Sequence, residues 1–117
     1  MTGKNVIDRV RLFTNDTEPG DAERVSDVQM VLFINDGIRL IWDVRSDSRL
    51  AADGTRIVIA EIAAGTDTIC LLDRFRGALA NYTAAQVFLM NSGSGENIQR
   101  ATTHMAQMTT MLMPQQN

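Results

Sequence analysis

Few side chains in this sequence combine a reactive group with a partner at a useful spacing. The chain has one histidine, His104, and one cysteine, Cys70. A histidine that acts as a general base needs a nucleophile and an orienting group nearby, and no motif around His104 supplies them. Cys70 lies between Ile69 and Leu71, where a buried, unreactive thiol is expected. We therefore predict a surface or interface histidine, an inert cysteine and no catalytic residue.

Asp36 and Asp43 are carboxylates that could in principle bind a divalent cation. They lie seven residues apart, and Arg39 stands between them. Because Arg39 and Asp43 have the spacing of an ordinary helical ion pair, a solvated or interface stripe is the preferred interpretation. Gly93-Ser94-Gly95 lacks the lysine of a phosphate loop and the full glycine pattern of a dinucleotide site, and is typical of a helix connector. No metal and no cofactor are predicted.

Length and composition predict a single globular domain spanning residues 1–117. Of the 117 residues, 44% are hydrophobic and 21% are charged, which is ordinary globular usage. The net charge of −3 argues against extensive polyanion binding. No apolar run approaches the ~18 residues of a membrane span, and the residues after Met1 do not resemble a signal peptide. The expected compartment is the cytoplasm.

Hydrophobic periodicity predicts a mainly α, four-helix bundle-like domain with an inserted β-hairpin between the second and third helices. Ser26 is the expected N-cap of the second helix, with Gln29 placed as in a capping box. Apolar residues cover most of that helix's circumference, so it is predicted to be the central one. The predicted helices cover residues 5–13, 26–44, 73–91 and 96–113.

The predicted hairpin comes from two β-branched, apolar runs over residues 56–62 and 67–72. An isolated two-stranded hairpin is marginally stable in water, so it must pack on the helices, pair with another chain, or do both. We therefore predict that the hairpin contributes to a contact between subunits. The predicted interface residues are Ile57, Ile59, Ile62, Arg39 and Asp43.

Methionines are concentrated near the C-terminus, where four of the seven fall within nine residues. Met105 and Met108 continue the apolar stripe of the fourth helix, whereas Met111 and Met113 fall on either side of it. Because methionine is flexible and polarizable, it suits a surface that accommodates a partner. One interpretation is a docking segment formed by Met108, Met111, Met113, Pro114 and Gln115. The other is a frayed terminus in which the methionines only fill the core.

Four segments resemble those of the head-to-tail adaptor (connector) proteins of tailed phages. Residues 5–16 resemble the short opening helix and polar loop of that family, and Phe33-Ile34-Asn35-Asp36-Gly37 resembles its second-helix signature. Residues 72–82 resemble the start of its third helix, and residues from Asn97 onward resemble its last helix. The apolar hairpin is a departure, since the family carries a mainly irregular linker at that place.

The resemblance implies a structural virion protein, not an enzyme, at the head–tail junction, present in the host cytoplasm during assembly. Such a protein forms a homo-oligomeric ring of about twelve copies beneath the portal protein, so the docking segment would meet the portal. The ring would extend the channel for double-stranded DNA, without sequence specificity, and present a surface to a tail or nozzle protein. Two alternatives remain: a small helical regulatory or antitoxin-like module that forms a dimer, and an accessory domain of a hydrolase.

Overall fold

The computed structural model describes residues 1–14, 25–90 and 95–113, and helices make up 71% of these residues. The four predicted α-helices are present, and two short 3₁₀ turns cover Ser46–Arg49 and Asp73–Phe75. The α-helices are α1 (Gly3–Thr14), α2 (Asp27–Val44), α3 (Arg76–Met90) and α4 (Gly95–Leu112).

The start of α2 follows the expected capping chemistry. Ser26 is the N-cap, and its hydroxyl oxygen accepts a hydrogen bond from the backbone N–H of Gln29 at 3.2 Å. This bond satisfies one of the N–H groups that a helix start leaves without an intrahelical partner. The predicted cap is therefore confirmed.

The central helix is α3, not α2 as predicted. α3 packs against each of the other three helices, most extensively against α4. Its buried residues lie all around its axis and are mostly small, which lets neighbouring helices approach closely. α2 instead leaves a line of side chains in solvent, with Val28 75% and Leu32 54% exposed. The apolar composition of α2 therefore did not identify the most deeply buried helix, which is α3.

Gly37 shows how closely α2 approaches α3. A Cβ atom at this position would lie 2.6 Å from Cδ1 of Leu79 and 2.9 Å from Cδ1 of Tyr82. Leu79 is fully buried, so its side chain has little room to move. The lack of a side chain at Gly37 therefore allows α3 to approach α2 closely.

The hydrophobic core draws on all four helices. On α2 the ridge of Val31, Ile34, Ile38 and Ile41 is buried. Near the end of α3, Phe88 is buried and Leu89 is 43% exposed. Ile98, near the start of α4, is 48% exposed. The largest fully buried side chains are those of Met30, Ile34, Ile38, Ile41, Leu79, Met108, Val6 and Val10.

The predicted β-hairpin is wrong. Within the described residues no segment forms a strand; the structure has two isolated bridges, Leu50–Arg56 and Thr2–Thr68. The second apolar run bonds to the N-terminal residues instead of to the first run: the N–H of Ile69 donates to the carbonyl of Met1 at 3.0 Å. The N–H of Gly3 donates to the carbonyl of Asp67 at 3.1 Å. The linker between α2 and α3 is therefore irregular.

Candidate interaction surfaces

The side chain of Asn35, on the buried side of α2, takes the place of a neighbouring strand for the linker. Its Nδ2 donates to the carbonyl of Ile62 at 2.9 Å, and its Oδ1 accepts from the N–H of Ile62 at 2.9 Å. Asn35 and Ile62 are both buried, and buried backbone N–H and C=O groups require hydrogen-bond partners. One amide therefore satisfies both polar groups of Ile62 and holds the apolar run against the helices without a β-ladder.

The linker segment before Ile62 lies partly in solvent. Val58 is 83% exposed, whereas Ile57 and Ile59 are half-buried. Ile62 itself is buried in the core of its own chain, so its side chain faces no partner in this conformation. The half-buried Cys70 contacts this segment through its Sγ, 3.6 Å from the carbonyl oxygen of Ala60.

Arg39 connects this segment to the outer face of α2. Its Nε and Nη2 lie 3.1 and 2.9 Å from Oε1 of Glu61, so Arg39 pairs with Glu61 and not with Asp43 as predicted. Asp43 is exposed, and no ion pair joins it to another side chain of the described residues. We call the surface formed by Arg39, Asp43, Ile57, Val58 and Ile59 the lateral surface.

A second surface lies where α4 ends beside the 3₁₀ turns. Arg45 donates through Nη1 to the carbonyl of Leu112 at 3.1 Å, and its Nε and Nη2 lie 2.8 and 2.6 Å from the two carboxylate oxygens of Asp47. This hydrogen bonding lowers the pKa of Asp47. Arg74 also reaches Asp47, at 3.2 Å. These bonds fix the end of α4 relative to α2.

Phe75 forms the floor of a cleft at this place. The guanidinium carbons of Arg74 and Arg45 lie 4.9 and 5.9 Å from the centre of its ring, within the range of cation–π attraction. The cleft has a volume of about 350 Å³. We call it the C-terminal cleft; it is lined by Arg45, Arg74, Phe75, Ala78, Met111 and Met113.

The methionines of the predicted docking segment take different positions. Met108 is buried in the core, whereas Met111 and Met113 are 51% and 60% exposed. Met111 packs over α3: Asn81 Nδ2 lies 3.6 Å from its Sδ, and a Cβ added to Gly77 would lie 3.2 Å from the same atom. Pro114 and Gln115 lie outside the described residues.

His104 is half-buried between two aromatic rings. Its ring centre lies 4.9 Å from that of Phe13 and 5.7 Å from that of Phe88. Its Nδ1 lies 2.8 Å from Oδ1 of Asn81, whose Nδ2 donates to the carbonyl of Gly77 at 2.8 Å. Burial lowers the pKa of His104. The neutral ring is therefore favoured in this position, where it connects α1, α3 and α4.

The described part of the chain assembles no metal centre. No three side chains among its His, Cys, Asp and Glu residues come together in a way that could hold a metal ion. None of its helices is long and apolar enough to cross a membrane. The sequence did not predict that Asn35, Arg45 and Asn81 would connect separate elements of the fold through hydrogen bonds. At Asn35 and Asn81 the available signal was a polar residue on an otherwise apolar helix face.

Comparison with known proteins returned no matching family model, no matching curated protein and no matching solved structure.

Proposed function

We propose that this chain is a structural virion protein, a head-to-tail adaptor that forms a ring of about twelve copies between the portal and the tail of a phage. The observation that carries the proposal is the presence of two separate surfaces with exposed apolar side chains. The lateral surface presents Val58 beside α2, and the C-terminal cleft presents Met111 and Met113 at the end of α4. A protein within a layered assembly needs one surface for its own copies and another for the next layer.

The linker between α2 and α3 supports this proposal. The resemblance to phage adaptors implies a mainly irregular linker here, and the linker is irregular. Two residues of the second-helix signature also have evident structural roles. Asn35 bonds the linker backbone, and Gly37 allows α3 to pack closely. Two residues of the motif that resembles the adaptor family thus make contacts that stabilise this fold.

The C-terminal cleft suits a partner that combines an apolar anchor with acidic groups. Arg45 and Arg74 flank an apolar floor, and the two exposed methionines can change rotamer to fit a non-identical neighbour. In the proposed ring this neighbour is the portal protein. The opposite side of the ring would meet a tail or nozzle protein.

Passage of double-stranded DNA requires weak, sequence-independent contact. The chain carries a net charge of −3, and residues 101–113 of α4 and its end contain no charged side chain. Affinity for DNA backbone scales with the number of phosphates that basic groups neutralise. We expect the isolated protein to show no sequence-dependent binding to DNA at physiological salt.

Substitution of Met111 and Met113 by serine tests the docking role of the cleft. Truncation after Thr110 would also remove Leu112, which is buried, so the paired point substitutions are the sharper test. The variant should keep its helical spectrum and its cooperative melt but fail to co-sediment with tailless capsids that carry a portal. Ile98→Ser is the matched control, because Ile98 is a similarly exposed apolar residue on α4, near its other end.

The control variant should attach as the unaltered protein does. Normal attachment of the Met111→Ser, Met113→Ser variant would refute a docking role for the cleft. The regulatory module would be favoured instead if the wild-type chain does not bind the portal, remains dimeric and binds a defined nucleic acid.

A further inference from the structure

A groove between α1 and α4 has no occupant among the described residues. Its volume is about 730 Å³, and Asn81 of α3 lies at its floor. α1 contributes Arg9 and Phe13. α4 contributes one face over about two and a half turns, formed by Thr102, Thr103, Ala106, Gln107, Thr110 and Met111. Met111 lies at the boundary of two surfaces, because it also lines the C-terminal cleft. We call this the α1–α4 groove.

The α4 wall of the groove has an uncharged and largely apolar character. The hydroxyls of Thr102, Thr103 and Thr110 each donate to the carbonyl four residues earlier, at 2.9, 3.0 and 3.0 Å. These hydroxyl protons are therefore used within the helix. Small side chains allow another helix to come close, because interaxial distance depends on the side chains at the contact.

Arg9 is the charged residue of this groove. It is exposed, and no ion pair joins it to an acidic side chain of the described residues. A cation beside an apolar wall favours an occupant that has both apolar and acidic side chains on one face.

The outer face of α2 has this composition. Val28, Leu32, Asp36, Arg39 and Asp43 follow one another at intervals of three or four residues and are all exposed, so they form one stripe along the helix. Asp36 and Asp43 form no ion pair with other described side chains. The stripe therefore offers apolar side chains at one end and unpaired carboxylates at the other.

We propose that the α1–α4 groove receives the α2 stripe of a second copy of this chain, with Arg9 facing Asp36 or Asp43 of that copy. α2 and α4 pack on α3 without an extensive contact between them, so groove and stripe are different parts of the surface. A contact between two different patches is heterologous and closes into a ring when the rotation allows it. The inference rests on the proposed function and names the contact between ring neighbours.

Disulfide trapping tests the pairing of the two surfaces. In a Cys70→Ser background, Leu32→Cys places a thiol on the stripe and Ala106→Cys places one in the groove. The double variant, oxidised with diamide, should give a ladder of dimers, trimers and larger species on a non-reducing gel. A mixture of the two single variants should stop at the dimer, because each chain then carries one thiol.

The trapping experiment has clear negative outcomes. A Leu32→Cys variant that forms dimers by itself as efficiently as the mixture would indicate a stripe-to-stripe contact and overturn the proposal. A control pair, Asp53→Cys with Lys4→Cys, places thiols on exposed residues outside both surfaces. It should remain monomeric, and an equal ladder from this pair would show that collisions alone produce the result.

Charge reversal gives an independent readout in the same background. Arg9→Glu should reduce the yield of trimers and larger species several-fold, and adding Asp36→Arg and Asp43→Arg should restore it. Loss without restoration, in variants with wild-type helical spectra, would refute the pairing of these charges. If the wild-type chain forms a ring and all these variants assemble as the wild-type chain does, the proposed groove contact is wrong. The proposed function is then unaffected. If the wild-type chain forms no ring on portal-bearing capsids, the proposed function fails.

Discussion

Replacing Asn35 by alanine removes two buried hydrogen bonds between the linker and α2. The amide bonds the N–H and the carbonyl of Ile62 at 2.9 Å each, and Ile62 is 5% exposed. Without the amide, two buried backbone groups lose their partners, and each such loss costs about 1–3 kcal/mol. We therefore expect Asn35→Ala to lower the free energy of unfolding by about 2–6 kcal/mol. That is a large share of the stability of an ordinary domain.

The substitution Asn35→Asp tests the donor role of the side chain separately from its acceptor role. The carboxylate can still accept from the N–H of Ile62, but it cannot donate to the carbonyl, and it brings a negative charge against that oxygen. Burial and the adjacent carbonyl should raise the pKa of the new carboxyl above its ordinary value of about 3.9. The protonated form can donate again. The stability lost relative to wild type should thus be smallest below about pH 3.9 and grow as pH rises through the folded-state pKa.

Urea denaturation followed by Trp42 fluorescence measures these differences. Trp42 is the only tryptophan and packs half-buried against the core. Gln99→Ala, on the exposed face of α4, is a matched control that should stay close to wild type. An Asn35→Ala variant as stable as the control, or an Asn35→Asp variant whose deficit does not change with pH, would show that the amide does not hold the linker.

Three further predictions concern the core and the aromatic cluster. Ile38→Ala should cost about 2–5 kcal/mol in urea denaturation, because Ile38 is fully packed; a change within error would contradict its burial. Gly37→Ala should lower stability by about 1–3 kcal/mol through overpacking against Leu79, and a stabilised variant would refute that close contact. Burial lowers the pKa of His104 below 6.5, so melting temperature should fall as pH drops below 6.5, and His104→Gln should reduce that dependence.

The helices could be predicted because their signals are local. The cap at Ser26 and the ridge of Ile34, Ile38 and Ile41 depend on residues within a few turns of one another. Which helix lies at the centre is set by packing between helices instead. The many alanines of α3 give a weak apolar pattern but permit neighbours on every side, so the sequence pointed to α2.

The linker shows why the hairpin prediction failed. Ile57, Val58 and Ile59 have the β-branched composition of a strand, but composition does not state where backbone hydrogen bonds go. Here the N–H of Ile57 donates to the carbonyl of Arg49, and the backbone of Ile62 bonds to the side chain of Asn35, 27 residues earlier. Likewise, the partner of Arg39 is Glu61, which no helical spacing rule would identify. The contacts of Asn35 and Arg39 join parts of the chain that a local pattern treats separately.

The mass of the assembled protein tests the central proposal most directly. Native mass spectrometry or mass photometry of the full chain bound to and released from portal-bearing particles would count its copies. The proposed adaptor predicts a single closed species of about twelve copies, with few dimers. A discrete dimer, or a monomer that never associates with the portal, would contradict the ring and with it the proposed function.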